Sequence, residues 1–167
     1  MIEIYLSNLR LFNSGCDNGR WIELPCSNLD EVFQEIVGED EYIIADSMTD
    51  IDQLYIHEFD SVYYLNDMCE RIPDNDLNVD AISAFLYAGY KLEEAIEHVI
   101  NNDYIVYDDC EDMNDVAYYI INESGMYDNR KEDIFTRYFD YDAFGRDLAI
   151  GSTFYFTDDK KCIEVIG

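Results

Sequence analysis

An α+β fold, in a chain long enough for one ordinary domain or two or three small ones, is predicted by three features of the sequence. Apolar and polar residues alternate with period two near both ends, as in IEIYLSNL (2–9) and TFYFT (153–157), the pattern of half-buried strands. Over residues 61–100 the apolar spacing changes to three and four, the pattern of amphipathic helices. Aromatic residues make up 15% of the 167 residues, with 15 Tyr and 9 Phe. Acidic disordered chains are poor in such residues, so this acidic chain has the material for a core.

Residues 2–9 read as the first strand, and the turn-rich NSGCDNG (13–19) leads to a second, RWIEL (20–24), stopped by Pro25. Ser27, three residues before Asp30, resembles a capping-box start. The helix it opens runs through Leu29, Val32, Phe33 and Ile36 and ends at Gly38. EYIIAD (41–46) is a third strand, so residues 1–60 form an N-terminal α+β unit. Val62, Leu65, Cys69 and Ile72 then mark a helix broken at Pro73. Ala81, Ile82, Phe85 and Leu86 mark a second, ended by Gly89, and Leu92, Ala95, Ile96, Val99 and Ile100 a third, giving a helical middle unit over 61–103. YIVY (104–107) returns to a strand, and residues 108–125 and 131–148 read as helices. TFYFT and CIEVI (162–166), joined across DDKK, make a hairpin that completes a C-terminal α+β unit over 104–167.

Charge dominates the surface chemistry. The chain carries 38 Asp and Glu against 10 Lys and Arg, a formal net charge of −28. Between Trp21 and Asn129 there are 28 acids and two bases, Arg71 and Lys91. Glu31 and Glu35, Glu93 and Glu97, Asp108 and Asp112, and Glu111 and Asp115 repeat like charge four residues apart. On a helix each such pair costs ~0.2–0.5 kcal/mol. Solvated helix faces usually mix signs, because opposite pairs add support. These acids, with Asp67, Glu94 and Asp109, are therefore the candidate functional surface. Nucleic acid and anionic membranes are poor direct partners for it, and basic protein surfaces are good ones. Duplex DNA carries one charge per ~1.7 Å of axis, so 28 charges match roughly 48 Å, about 14 base pairs. A compact globule of this length is about 40 Å across. Extending the chain into successive small units would lower its self-repulsion and bring its charge spacing closer to that of phosphates. The partner that fits is a protein surface that normally grips DNA.

Other chemistries find little support. The five cysteines, Cys16, Cys26, Cys69, Cys110 and Cys162, contain no CxxC pair, and the start lacks a signal-peptide pattern. No apolar stretch approaches the ~20 residues of a membrane span. A reduced, cytoplasmic protein is expected. DNDLNVDAISAF (74–85) places Asp74, Asp76, Asn78 and Asp80 at the first four alternate positions of a calcium loop. Val79 replaces its turn glycine and Phe85 its bidentate Glu, so a helix cap at Asp76 is the better reading. His57 and His98 fit no zinc spacing. There is no GxSxG, GxGxxG or Walker loop, since GRDLAIGST (145–153) lacks the Lys. Among 38 acids some pair will fall at glycosidase spacing by chance, so that signal is uninformative. Arg146 is expected to pair with Asp142 or Asp147. No catalytic, cofactor-binding or metal-binding residue is assigned, and the protein is not expected to be an enzyme.

Four stretches carry a family resemblance: IYLSNLRLFNSG (4–15), GRWIELP (19–25), DDCEDMNDVAYYIINESG (108–125) and YFDYDAFGRDLAIGSTF (138–154). In this order, the chain resembles the ArdA antirestriction proteins, with Tyr141, Ala143, Phe144, Gly145, Arg146 and Asp147 as the most specific motif. Residues 50–105 match mainly in character. The resemblance implies an elongated three-domain protein that dimerises and imitates bent duplex DNA. It also implies occupation of the DNA-binding groove of type I restriction–modification enzymes, and carriage on mobile genetic elements. The acids it carries over are Asp108, Asp109, Glu111, Asp112, Asp115, Asp140, Asp142 and Asp147. Those at 140–147 are expected to serve the fold more than the mimicry.

Two rival readings remain at this point. One is a mimic of the same kind aimed at a nucleoid protein or topoisomerase; the other is a calcium-binding acidic protein. Two copies would extend the reach of one, and twofold pairing is the commonest assembly. The C-terminal unit is the least one-sided in charge, so a homodimer interface is expected there, either with Val106, Tyr107 and Cys110 near the axis or with YIVY simply a core strand.

Overall fold

Alternation over the first residues is realised as β1 (Ile2–Asn8), the centre of an antiparallel sheet in the order β2-β1-β3. Its neighbours are β2 (Arg20–Leu24) and β3 (Tyr42–Thr49), the latter running three residues past the expected end. The structure, a computed structural model, describes residues 2–73, 76–123 and 138–166. Ile2, Ile4, Leu6, Ile22, Leu24 and Ile44 pack with Leu29 and Ile36 of α2 (Leu29–Ile36). The register shifts between Tyr5 and Leu6, leaving Ala45 as the extra residue of a bulge.

Two local features depart from the sequence reading. A five-residue helix, α1 (Leu9–Asn13), follows β1 directly, with the Asn8 side chain accepting from the Leu11 N–H at 3.1 Å. A single turn is too short to display a period. The capping box expected at Ser27 does not form; Asn28 is the N-cap of α2 and makes no side-chain cap bond. Its side chain accepts instead from the Cys26 thiol, and Asp30 accepts from the Tyr63 hydroxyl.

The middle of the chain forms α3 (Val62–Arg71), α4 (Asp76–Tyr87) and α5 (Leu92–Asn101). Ser61 caps α3 through the Tyr64 N–H, and Gly89 and Asn102 adopt left-handed conformations just past α4 and α5. Residues 76–87 are thus helical, whereas a calcium loop needs a turn near Val79. Asp74 and the side chain of Asp76, the expected cap, lie outside the described residues. Helix α4 packs on α5 and also on the last strand, which explains why Ala81, Ile82, Ala84 and Phe85 are all buried around it.

The terminal sheet has the order β4-β6-β5, from β4 (Tyr104–Tyr107), β5 (Thr153–Phe156) and β6 (Cys162–Val165). Ile163, Val165 and Tyr155 join the core shared with the first sheet and the middle helices. On the opposite face Tyr107, Cys162, Phe154 and Phe156 pack with α6 (Met113–Asn122). The helix expected over 108–125 therefore begins only at Met113, and its expected end at Gly125 lies outside the described residues. So do positions 131–137 of the next expected helix, and the rest of it is not continuous: Phe139 and Asp140 are not helical, and α7 (Tyr141–Gly151) starts anew at the Asp140 cap and runs past 148.

Helices α6 and α7 pack tightly, and Gly145 is why they can. A Cβ there would sit 2.5 Å from the Met113 carbonyl oxygen, which is backbone and has little room to yield. Gly145→Ala is expected to cost about 1–3 kcal/mol through forced separation of the two helices. Gly151→Ala, where an added Cβ meets nothing within 4 Å, should be near neutral. Chemical denaturation of the two variants checks this; equal midpoints would contradict it.

Candidate functional site

Three groups of acids lie along successive elements. Glu31 and Glu35 stand one turn apart on α2, both exposed. Asp67 on α3 and Glu93, Glu94 and Glu97 on α5 form a second group, also exposed. Asp108, Asp109, Glu111 and Asp112 are exposed between β4 and α6, and Asp115 is half-buried. Some of the acids stand at helix starts, which is favourable because a helix N-terminus carries partial positive charge. Asp30 and Glu31, Glu93 and Glu94, Asp115, and Asp142 occupy the first turns of α2, α5, α6 and α7.

The repulsion expected from i,i+4 pairs is answered by bases distant in sequence. Arg71 of α3 reaches Glu93 at 3.4 Å and Glu97 at 3.3 Å. Arg20 of β2 meets Glu35 at 2.8 Å, and the Lys160 ammonium pairs with Glu111, which raises its pKa. Such exposed pairs contribute little stability. Their effect is to reduce local repulsion while leaving the surface negative.

In the stretch 108–115 the geometry corrects the helical expectation. Asp109 takes a left-handed conformation, φ 56°, and the Cys110 N–H donates to the Lys160 carbonyl at 2.9 Å, tying the turn to the hairpin loop. Asp112 is the N-cap of α6; its carboxylate accepts the Asn114 and Asp115 N–H groups at 2.8 and 3.0 Å. Asp115 accepts from the Glu111 N–H at 2.9 Å. Asp108 and Asp112 are thus not a helical pair, and Asp112 and Asp115 neutralise backbone donors instead of merely opposing one another.

The motif near α7 is built into the packing. Asp140 caps the helix, accepting from the Ala143 N–H at 2.9 Å. Tyr141 packs between Phe139 and Tyr118, with ring centroids 5.0 and 5.5 Å away, and Phe144 also meets Phe139. Asp142 accepts from the Asn114 side chain at 2.7 Å, linking the two helix starts. The ion pair expected from Arg146 to Asp142 or Asp147 is absent among the described residues. Arg146 and Asp147 are both exposed, with Asp142 already engaged by Asn114.

Tyr107 and Cys110 are enclosed by the protomer itself. Tyr107 donates to Glu164 at 2.6 Å and meets Tyr119 edge-on. Burial pushes its pKa up, with Glu164 adding to the shift, and burial pushes the Cys110 thiol up to about 11. Val106 is half-buried on the other face, and Ile105 is 43% exposed. Among the described residues strand β4 pairs only with β6, and its other edge has no strand partner there. Sequence reasoning did not single out Ile105, whose exposure on this strand depends on the sheet order.

No group of His, Cys, Asp and Glu among the described residues is arranged to hold a metal ion, and no helix there is long and apolar enough to cross a membrane. A family model described as antirestriction protein (ArdA) matches residues 4–161. The chain belongs to the ArdA antirestriction family. Antirestriction is accordingly its family function, and the ArdA family is one of inhibitors, not of enzymes. Among curated proteins, none matches the chain. Within an ArdA chain, the Asp112 geometry predicts a structural as well as an electrostatic role. Asp112→Ala should lose about 1 kcal/mol of stability through the missing cap, while Asp112→Asn, which still caps, should lose much less. Equal thermal shifts for the two would argue against the cap.

Proposed function

We propose that this ArdA protein inhibits type I restriction–modification enzymes by presenting a DNA-like charge surface to their DNA-binding groove. The observation that carries the reading is the exposure of carboxylates on α2, on α3 and α5, and between β4 and α6, in a family of antirestriction proteins. Successive acidic units, arranged as an elongated three-domain body in the cytoplasm, would offer charge equivalent to about 14 base pairs per chain. No bond is made or broken by the inhibitor. It competes for a site by occupying it, and target choice rests on the shape of the charged surface. A nucleoid protein or topoisomerase groove would attract the same charge; family membership favours the restriction enzyme.

Affinity for the enzyme should fall steeply with added salt, because screening shortens from ~10 Å at 0.1 M to ~3 Å at 1 M. Duplex DNA should compete for the same site. Titration at several salt concentrations, with and without unlabelled DNA, checks both. Affinity flat in salt, or a stable ternary complex with DNA in its usual groove, would exclude the mechanism. Replacing Asp108, Asp109, Glu111, Asp112 and Asp115 together by their amides should weaken inhibition far more than any one of them.

The homodimer belongs to the same proposal. Two copies meeting along the open edge of β4 would double the charged length, with Val106 at the junction and Tyr107 and Cys110 supporting the strand from inside. Ile105→Asp should then shift the protein to monomer by placing two like charges across the axis, without disturbing the buried Tyr107. Sedimentation equilibrium decides: a wild-type monomer at high concentration refutes the dimer, and an intact dimer after substitution refutes this placement.

A further inference from the structure

One face of the first sheet is left open at its outer end. Register places Glu23, Glu3 and Met48 in one row across β2, β1 and β3, and Trp21, Tyr5 and Asp46 in the next. Directly opposed residues in an antiparallel pair share a face, about 4.5–5.5 Å apart at Cβ. Trp21 is 41% exposed and Met48 52%, while Glu23 and Asp46 are also exposed. The opposite face of the same strands is core. This face is therefore two aromatic rings and a thioether set among three carboxylates.

The arrangement is held in place. Tyr5 and Trp21 meet edge-on, with ring centroids 5.6 Å apart. The Tyr5 hydroxyl donates to Asp17 at 2.9 Å and to the Gly19 carbonyl at 3.0 Å. Hydrogen bonds from the Ser7 hydroxyl and the Gly19 N–H hold the Asp17 carboxyl below its usual range, so a fourth charge borders the rings. A Cβ at Gly19 would lie 2.6 Å from the Tyr5 ring, so the chain passes this close only as glycine. The feature that stands out energetically is the Glu3–Glu23 register. Like charges directly opposite one another destabilise a strand pair. Among the described residues no Lys or Arg pairs with Glu3, Glu23 or Asp46; Arg10 and Arg20 reach Asp40 and Glu35 instead.

We infer that this sheet face is a docking site for an arginine side chain of the partner protein, selective for guanidinium over ammonium. A planar guanidinium can fork onto the Glu3 and Glu23 carboxylates while its flat face lies on the Trp21 indole. Its charge turns the opposed pair from repulsive to attractive. A lysine ammonium supplies charge but neither the fork nor the plane. The inference rests on the reading of the chain as an inhibitor of a DNA-binding enzyme and adds what charge mimicry alone does not require. A phosphate-like field would accept Lys and Arg alike, and would not need a tryptophan.

Trp21 is the single tryptophan of the chain, so its emission reports on the site directly. Hexa-arginine added to the full-length protein should change that emission saturably and bind at least about threefold more tightly than hexalysine at equal salt. The double substitution Glu3→Gln, Glu23→Gln should weaken hexa-arginine binding about tenfold. It should leave the melting temperature unchanged or raised, because the opposed charges are gone. A control of equal charge on other surfaces, Glu39→Gln with Asp158→Asn, should weaken binding much less. Emission indifferent to hexa-arginine, equal affinity for the two peptides, or equal losses in the two double variants would each overturn the inference. Inhibition of a type I enzyme by the wild-type protein is measured in parallel. Inhibition with no arginine preference sinks this site alone. Arginine preference without inhibition sinks the functional reading alone.

Discussion

Self-repulsion is the constraint to which the rest of this structure answers. A net charge of −28 on 167 residues opposes any compact arrangement, and few bases are available to relieve it. Two devices make the charge tolerable. Acids stand in the first turns of α2, α5, α6 and α7, where exposed backbone N–H groups stabilise them. The bases are placed inside the acidic surface: Arg10 against Asp40, Arg20 against Glu35, Arg71 between Glu93 and Glu97, and Lys160 against Glu111. Each lowers repulsion where carboxylates crowd, without changing the sign of the surface.

Burial supplies what electrostatics cannot. One cluster of side chains runs from the first sheet through the three middle helices to Ile163 and Val165 of β6, so the acidic shell has a continuous apolar support. A second cluster, around Tyr107, Cys110, Val116 and Cys162, holds the turn that carries Asp108 and Asp109. For the proposed docking it matters that these charges are fixed beforehand, since ordering them on binding would subtract from affinity. The tie from Cys110 to the hairpin and the cap at Asp112 do this for the most acidic stretch.

The conserving of roles between fold and surface differs from one acid to another. Asp140 and Asp142 bond α7 to its own start and to Asn114 of α6, so they act first as structure. Glu31, Asp67 and Asp108 lie exposed and contribute charge. Asp112 does both, because a capping carboxylate uses some of its lone pairs on the backbone and keeps its charge toward solvent.

Local periodicity by itself determined the six described strands and the middle helices, because alternation and three-to-four spacing are properties of neighbouring residues, and composition alone gave the excess of negative charge. The four quoted stretches also carried the family, through Gly19 and Gly145 among others, each standing where an added Cβ would strike its neighbours. Other features were decided only in three dimensions. The one-turn α1 had no period to read, and the helix at 108 was shortened because Asp112 caps it and Cys110 bonds to a residue 50 positions away. The partners of Glu35, Glu97 and Glu111 come from other elements, so the sequence showed repulsion where the fold shows pairing. Tyr107 and Cys110 were legible as apolar, but whether an apolar residue faces its own core or another protein depends on what packs against the strand. The same holds for Glu3, Glu23 and Trp21: strand register, set by pairing across 20 residues of chain, decides that they share one face.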